Sequence, residues 1–122
     1  MTKKISILLA EDEAIIAQYL KMELEQNGYE VCGFVASGEE AITKVRELNP
    51  DLILMDINLS GEIDGIDAAH EIRTDFQIPI IFMTGYSEHS LVDRAKEVKP
   101  VAYLEKPVEL YDLQPVIDSI VI

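Results

Sequence analysis

Short apolar runs recur along the chain, and each is followed by a turn and then by residues with helical spacing. The runs at residues 5–10, 52–55 and 80–83 are almost wholly apolar, which is typical of strands buried on both faces of a parallel sheet. The runs at 29–35 and 101–104 are weaker and fit strands at the sheet edges. The pattern therefore predicts five strands, three central and two peripheral.

Apolar residues three and four positions apart predict a helix after each strand. Gly28 is placed to end the first helix, and Ser37 with Glu40 forms a capping box before the second. Ser87 can cap the fourth, while Pro115 predicts a kink or a separate first turn in the fifth. The fifth helix is predicted to start at about Glu109. The predicted apolar faces of the first four helices are, in order, Ile16, Tyr19, Leu20 and Leu24; Ala41, Val45 and Leu48; Ile66, Ala69 and Ile72; and Leu91, Ala95 and Val98.

A strand followed by a helix, repeated five times, predicts an α/β fold with a parallel five-stranded sheet and helices on both faces. This is a doubly wound three-layer sandwich. The strand order 2-1-3-4-5 puts the most apolar strands in the middle. At this length we expect one domain over residues 1–122.

Composition narrows the range of partners. The net charge is −13, with 23 acidic against 10 basic residues, so direct binding to nucleic acid or to an anionic membrane is not expected. No apolar run approaches the roughly 18 residues that a membrane span needs, which favours a cytoplasmic location. Cys32 is the single cysteine, so no internal disulfide is expected.

Chemically useful side chains follow four of the predicted strands. Glu11 and Asp12 follow the first, Asp56 the third, Thr84 the fourth and Lys106 the fifth. Parallel strands deliver their carboxyl ends to one edge of the sheet, so these groups are expected to converge. Clustered carboxylates without His or Cys favour Mg²⁺.

These side chains suit phosphoryl chemistry. Asp56 would be the nucleophile that forms an acyl phosphate, while Lys106 and Thr84 would bind the phosphoryl oxygens. Each residue alone is commonplace: a carboxylate after a strand is typical of a turn, and a lysine is usually a solvated surface residue. Their conjunction at four strand ends carries the hypothesis.

Four stretches resemble the receiver domain of two-component response regulators. They are ILLAEDE at residues 7–13, PDLILMDINL at 50–59, PIIFMTGY at 79–86 and AYLEKP at 102–107. The resemblance, which includes chemotaxis regulators, extends over the whole chain and implies the flavodoxin-like (βα)5 fold. The strand order is therefore supported partly by analogy.

The resemblance also implies roles for the acidic residues. Asp56 is expected to accept a phosphoryl group from a histidine kinase or a histidine phosphotransfer protein. Glu11, Asp12 and Asp56 are expected to bind Mg²⁺, with the backbone carbonyl of Asn58. Glu11 stands where many relatives have Asp, so its contact with the metal is expected to run through water.

Further residues match the family's switch. Thr84 and Tyr103 match the pair that responds to phosphorylation, and Lys106 matches the lysine that binds the phosphoryl group, followed by a cis bond to Pro107. The expected output face comprises the fourth helix, fifth strand and fifth helix. It would act on an output domain or protein, from a monomer or a phosphorylation-dependent homodimer. Tyr86 is expected to affect the lifetime of the phosphorylated state.

Three alternative functions fit the sequence less well. An aspartyl phosphatase of the dehalogenase type would need an acid at position 58, which is Asn58. A flavodoxin-like cofactor carrier would need a Ser/Thr/Gly-rich loop after the first strand, where this chain has acids. A degenerate receiver would lack part of the site. We therefore expect a signalling switch that is not an enzyme beyond self-phosphotransfer and self-dephosphorylation.

Overall fold

The computed structural model describes residues 4–85 and 89–120 and contains one five-stranded parallel sheet in the order β2-β1-β3-β4-β5. This confirms the predicted fold class and strand order. The predicted cap Ser87 and the neighbouring Tyr86 lie outside the described residues. The elements are β1 (Ser6–Ala10), α1 (Ala14–Gln26), β2 (Glu30–Val35), α2 (Gly38–Leu48), β3 (Leu52–Asp56), α3 (Gly65–Asp75), β4 (Ile80–Thr84), α4 (His89–Lys96), β5 (Ala102–Glu105) and α5 (Leu110–Ile120).

The central strands form the core because nearly all their side chains are apolar. Every residue of β3 and β4 is buried, whereas the edge strands β2 and β5 are partly exposed. One apolar cluster packs beneath α2, α3 and α4, and a second beneath α1 and α5. Helices therefore cover both faces, and the central strands end together at one edge of the sheet.

Tyr19 corrects the predicted stripe of α1. The buried residues of this helix are Ala17, Leu20 and Leu24, while the Tyr19 side chain is 40% exposed. Its hydroxyl donates a hydrogen bond to Glu109 Oε2 at 2.8 Å, and the partner lies 90 positions away. That bond raises the pKa of Tyr19 to about 12. A polar tip with a distant partner explains why an aromatic at core spacing stays outside the core.

The helix ends follow the expected chemistry with two adjustments. Gly28 adopts a φ of +92° just after α1, a conformation that favours glycine. Ser37 Oγ accepts a hydrogen bond from the Glu40 amide at 3.1 Å, but Glu40 Oε1 accepts from the amide of Ala36 rather than from that of Ser37. α5 runs without a break through Pro115, so a separate first turn is wrong.

Among the described residues, no helix is both long enough and apolar enough to cross a membrane.

Candidate functional site

Three carboxylates meet where β1 and β3 end. Glu11 and Asp56 are each only 2% exposed, while Asp12 is exposed. One carboxylate oxygen from each residue lies within 4.8 Å of the other two. The predicted convergence of these acids is confirmed by geometry.

Lys106 lies between the two buried carboxylates. Its Nζ is 2.6 Å from Asp56 Oδ2 and 2.7 Å from Glu11 Oε1, and its side chain is only 18% exposed. The Lys106 amide donates to the Thr84 carbonyl at 2.7 Å, which fixes the loop after β5 against the end of β4. The peptide bond to Pro107 is cis, as the resemblance implies.

Burial dominates the electrostatics of Asp56. It raises the pKa of this carboxyl from 3.8 to about 7; the negative charge of Glu11 adds to the shift, and hydrogen bonding to Lys106 opposes it. Burial would lower the pKa of Lys106, but its hydrogen bond to Asp56 and the negative charge of Glu11 raise it instead. The lysine is therefore a charged group, and the carboxylates around it outnumber it three to one.

This donor set fits a hard divalent cation. Glu11 Oε1 is buried and has no hydrogen bond within the described structure, since its close approach to Lys106 is an ion pair without hydrogen-bond geometry. Carboxylate oxygens that lie close together and outnumber the neighbouring cation are suitable ligands for Mg²⁺. Glu11, Asp12 and Asp56 are the side chains that could hold such an ion.

A pocket of about 420 Å³ opens above Asp56. Asn58 belongs to it, and its backbone amide donates to Asp56 Oδ1 at 3.1 Å. A Cβ added to Gly85 would meet nothing within 4 Å, so the space beside this glycine is open. The pocket is lined by Asp12, Glu13, Asp56, Asn58, Gly85 and Lys106.

Thr84 and Tyr103 lie on the strands beside this pocket. Thr84 is fully buried at the end of β4, and Tyr103 is opposite Phe82 on β5. The ring of Tyr103 packs against the apolar cluster beneath α3 and α4, and its buried hydroxyl has no hydrogen-bond partner in the described structure. The two predicted switch residues therefore lie on adjacent strands, and the Tyr103 ring packs on the apolar cluster that contains Ala95 of α4.

Sequence reasoning missed Gly65, which fixes the backbone of Asp56. A Cβ on Gly65 would lie 2.2 Å from the Asp56 carbonyl oxygen, and the Gly65 amide donates to the Ile57 carbonyl at 2.8 Å. Ser60 was missed as well; its hydroxyl lies 3.5 Å from Asp12 Oδ2. Neither residue stands out in the sequence, because nothing local shows which backbone atom a glycine approaches or which distant carboxylate a serine meets.

Comparison with known proteins decides the family. The family model of the response regulator receiver domain matches residues 7–118, which include nearly the whole chain and all of the site. The chain belongs to the response regulator receiver domain family. The receiver assignment made from the four stretches is confirmed.

Relatives of this receiver domain are regulatory proteins. It is 41% identical over 112 residues to the transcriptional regulatory protein PdtaR of Mycobacterium tuberculosis, covering 92% of this chain and 54% of that protein. It is 33% identical to the DNA-binding response regulator MtrA of the same species, covering 92% and 48%. The receiver chain thus spans about half the length of these relatives.

Solved receiver structures share the fold. The signal receiver domain of a modulated diguanylate cyclase from Desulfovibrio desulfuricans G20 is 37% identical, with a TM-score of 0.90 and coverage of 96% of this chain and 93% of that one. A CheY-like receiver domain protein from Methanospirillum hungatei JF-1 is 27% identical, with a TM-score of 0.87 and the same coverage.

Proposed function

We propose that the chain is the phosphoacceptor of a two-component phosphorelay and that Asp56 accepts the phosphoryl group. The observation that carries this proposal is the state of Asp56: a buried carboxylate, paired with Lys106 at 2.6 Å, at the base of an open pocket. Family membership supports the same role.

In the proposed transfer, an Asp56 carboxylate oxygen attacks phosphorus, and the P–N bond to a donor histidine breaks. The bonding pair leaves with the imidazole nitrogen, which takes up a proton. The Lys106 ammonium stabilises the phosphoryl oxygens, and Thr84 would donate to one of them. The proximity of Lys106 to Asp56 supports this assignment.

Mg²⁺ would be held by Glu11, Asp12, Asp56 and the Asn58 carbonyl, and when bound it supplies positive charge beside the phosphoryl group. The surplus of carboxylates over lysine supports this ligand set. Without the ion, Lys106 is the one side chain of this group that offsets the negative charge of the carboxylates.

Asp56→Asn tests the proposal directly. Wild-type protein incubated with Mg²⁺ and acetyl phosphate is expected to gain the mass of one phosphoryl group, because the carboxylate is the nucleophile. The variant is expected to gain none, as measured by intact mass. Asp51→Asn is the matched control, since Asp51 is an exposed carboxylate that precedes the same strand. Equal labelling of wild type and Asp56→Asn, or labelling of neither, would contradict the proposal.

An apolar groove beside the site suits the protein that delivers the phosphoryl group. The groove, about 470 Å³, lies between α1 and the loop that joins β5 to α5, and it includes Lys106 and Pro107. Ile15 on its rim is 85% exposed and adds to the apolar surface of the groove. We propose that a histidine kinase or histidine phosphotransfer protein packs a helix here, which would bring its phosphohistidine to Asp56.

Ile15→Asp is expected to slow transfer from a phosphorylated histidine phosphotransfer protein by about tenfold or more, because a charge replaces a large apolar side chain that would contact the partner. Labelling by acetyl phosphate is expected to stay unchanged, since the small donor needs no docking surface. Met22→Asp is the control: Met22 is 50% exposed on the same helix but is not part of the groove. Equal slowing by both variants, or slowing with acetyl phosphate, would contradict this assignment of the surface.

The proposed output is a change in the face formed by α4, β5 and α5. Thr84 and Tyr103 would respond to the phosphoryl group and shift this face between two states. The packing of the Tyr103 ring against the cluster that contains Ala95 of α4 supports the connection. The reader of this face would be an output domain or protein, or a second phosphorylated copy.

A further inference from the structure

Arg94 attaches α4 to the beginning of α3. Its Nη1 lies 3.0 Å from Asp64 Oδ2, and its Nη2 lies 2.9 Å from Asp67 Oδ1. A further contact, from Nη2 to Asp64 Oδ1, is 3.4 Å long. One guanidinium thus holds both carboxylates, a geometry that suits the planar fork of arginine and that lysine would not reproduce.

The two carboxylates are already fixed by α3 itself. Asp64 caps the helix by accepting from the Asp67 amide at 2.8 Å, and Asp67 accepts in return from the Asp64 amide at 3.2 Å. Burial would raise the pKa of Asp64, but bonds from Arg94 and from the Asp67 amide hold it below its usual value. Arg94 therefore meets an ordered, charged partner.

The same point on α3 touches the phosphoacceptor strand. Gly65 follows Asp64 directly and packs so closely on Asp56 that a Cβ would lie 2.2 Å from its carbonyl oxygen. Gly65 also donates its amide to the Ile57 carbonyl. Close contacts therefore run without interruption from the backbone of Asp56 through Gly65 and Asp64 to the guanidinium of Arg94.

α4 has few apolar contacts of its own that would keep it from moving. Among the side chains of α4 that the structure describes, those of residues 90–96, one is buried, Ala95. Just beyond its end, Arg73 of α3 donates from Nε to the Val98 carbonyl at 3.0 Å and from Nη1 to the Ile78 carbonyl. Polar contacts between the two helices, made by Arg94 of α4 and by Arg73 of α3, thus hold α4 and the residues just after it in place.

We infer that Arg94 is a positioning residue that couples the backbone of Asp56 to α4, by a route through Gly65 and Asp64 that does not pass through Thr84 and Tyr103. The inference rests on the proposed function of Asp56. It adds a second connection between the phosphorylation site and the output face.

Hydrogen exchange of the amides in residues 89–98, followed by mass spectrometry, tests the first half of the inference. In Arg94→Gln these amides are expected to exchange about fivefold faster than in wild type, because the helix loses its link to α3. Arg46→Gln is the control, since the Arg46–Asp75 pair is also an ion pair to α3, 3.5 Å long, but does not involve α4. Equal exchange in wild type and Arg94→Gln overturns the inference.

Fluoroberyllate with Mg²⁺, which mimics a phosphoryl group on aspartate, tests the second half. In wild type and Arg46→Gln its addition is expected to change exchange in residues 89–98, and in Arg94→Gln this change is expected to be clearly smaller. Coupling is reciprocal, so the concentration of fluoroberyllate needed for half-saturation of Asp56 is also expected to shift in Arg94→Gln alone.

The outcomes separate the two proposals. If Arg94→Gln binds fluoroberyllate as wild type does and transmits the full change to α4, the coupling is overturned while the phosphoacceptor role stands. If wild type fails to bind fluoroberyllate and Asp56 gains no phosphoryl group from acetyl phosphate, the proposed function is overturned, and the coupling with it.

Discussion

Lys106→Met is expected to lower the free energy of unfolding in the absence of Mg²⁺, by about 3–5 kcal/mol at a pH above 7 at which Asp56 is ionised in wild type, because breaking a buried ion pair leaves an uncompensated charge. Lys106 is the cation between Asp56 and Glu11, at 2.6 and 2.7 Å, and both carboxylates are buried. Methionine has similar length and apolar volume, so the loss reports the missing charge. Urea unfolding measures it.

The loss should depend on pH in a defined direction. When folding raises the pKa of a carboxyl group, the folded protein becomes less stable as the pH rises from the unfolded pKa, about 3.9, through the folded pKa. In wild type the folded pKa of Asp56 is about 7. Without Lys106 it rises further, so the difference between wild type and variant is expected to be smaller near about pH 5.5 and to widen above about pH 7.

The matched control for this charge is Lys44→Met. Lys44 also pairs with a carboxylate, Glu47 at 3.1 Å, but both side chains are about half exposed. Surface pairs of this kind contribute about 0–1 kcal/mol, so this variant should unfold much like wild type at both pH values. A loss for Lys106→Met that matches Lys44→Met, or one that is independent of pH, would contradict the account of the site.

The sequence was sufficient to predict where the carboxylates meet. Asp56 and Thr84 are the last residues of their strands, Lys106 directly follows its strand, and the carboxyl ends of parallel strands meet at one edge of the sheet. Once the order of the strands is known, the neighbours of Asp56 follow with little further information. This is why the assembly of the acids and the lysine could be predicted without any coordinates.

Contacts between separate helices and loops could not be predicted in the same way. Tyr19 has the spacing of a core residue, yet its hydroxyl donates a hydrogen bond to Glu109, which lies 90 positions away in the sequence. Arg94 looks like an ordinary surface arginine until α4 is placed beside Asp64. Such pairs depend on the offset between neighbouring helices, which apolar periodicity does not encode.

Gly65→Ala is expected to disturb Asp56 more than a single methyl group suggests. The added Cβ would lie 2.2 Å from the Asp56 carbonyl oxygen and 2.9 Å from Met55 Cγ, so the backbone of β3 or of α3 has to move. Overpacking of this kind lowers stability by about 1–3 kcal/mol, which thermal or urea unfolding detects. The φ of Gly65 is not in the left-handed region, so the effect is steric.

The same shift should impair chemistry. A displacement of about 1 Å at a reacting group can slow a reaction roughly a hundredfold, so labelling of Gly65→Ala by acetyl phosphate is expected to be strongly slowed even where the protein is fully folded. Gly85→Ala is the control for stability, because its Cβ would meet nothing within 4 Å. If Gly65→Ala proved as stable as Gly85→Ala and was labelled at the wild-type rate, the start of α3 could move to accommodate the added Cβ without loss of stability. The close contact between Gly65 and Asp56 would then neither position the carboxylate nor transmit its movement to Arg94.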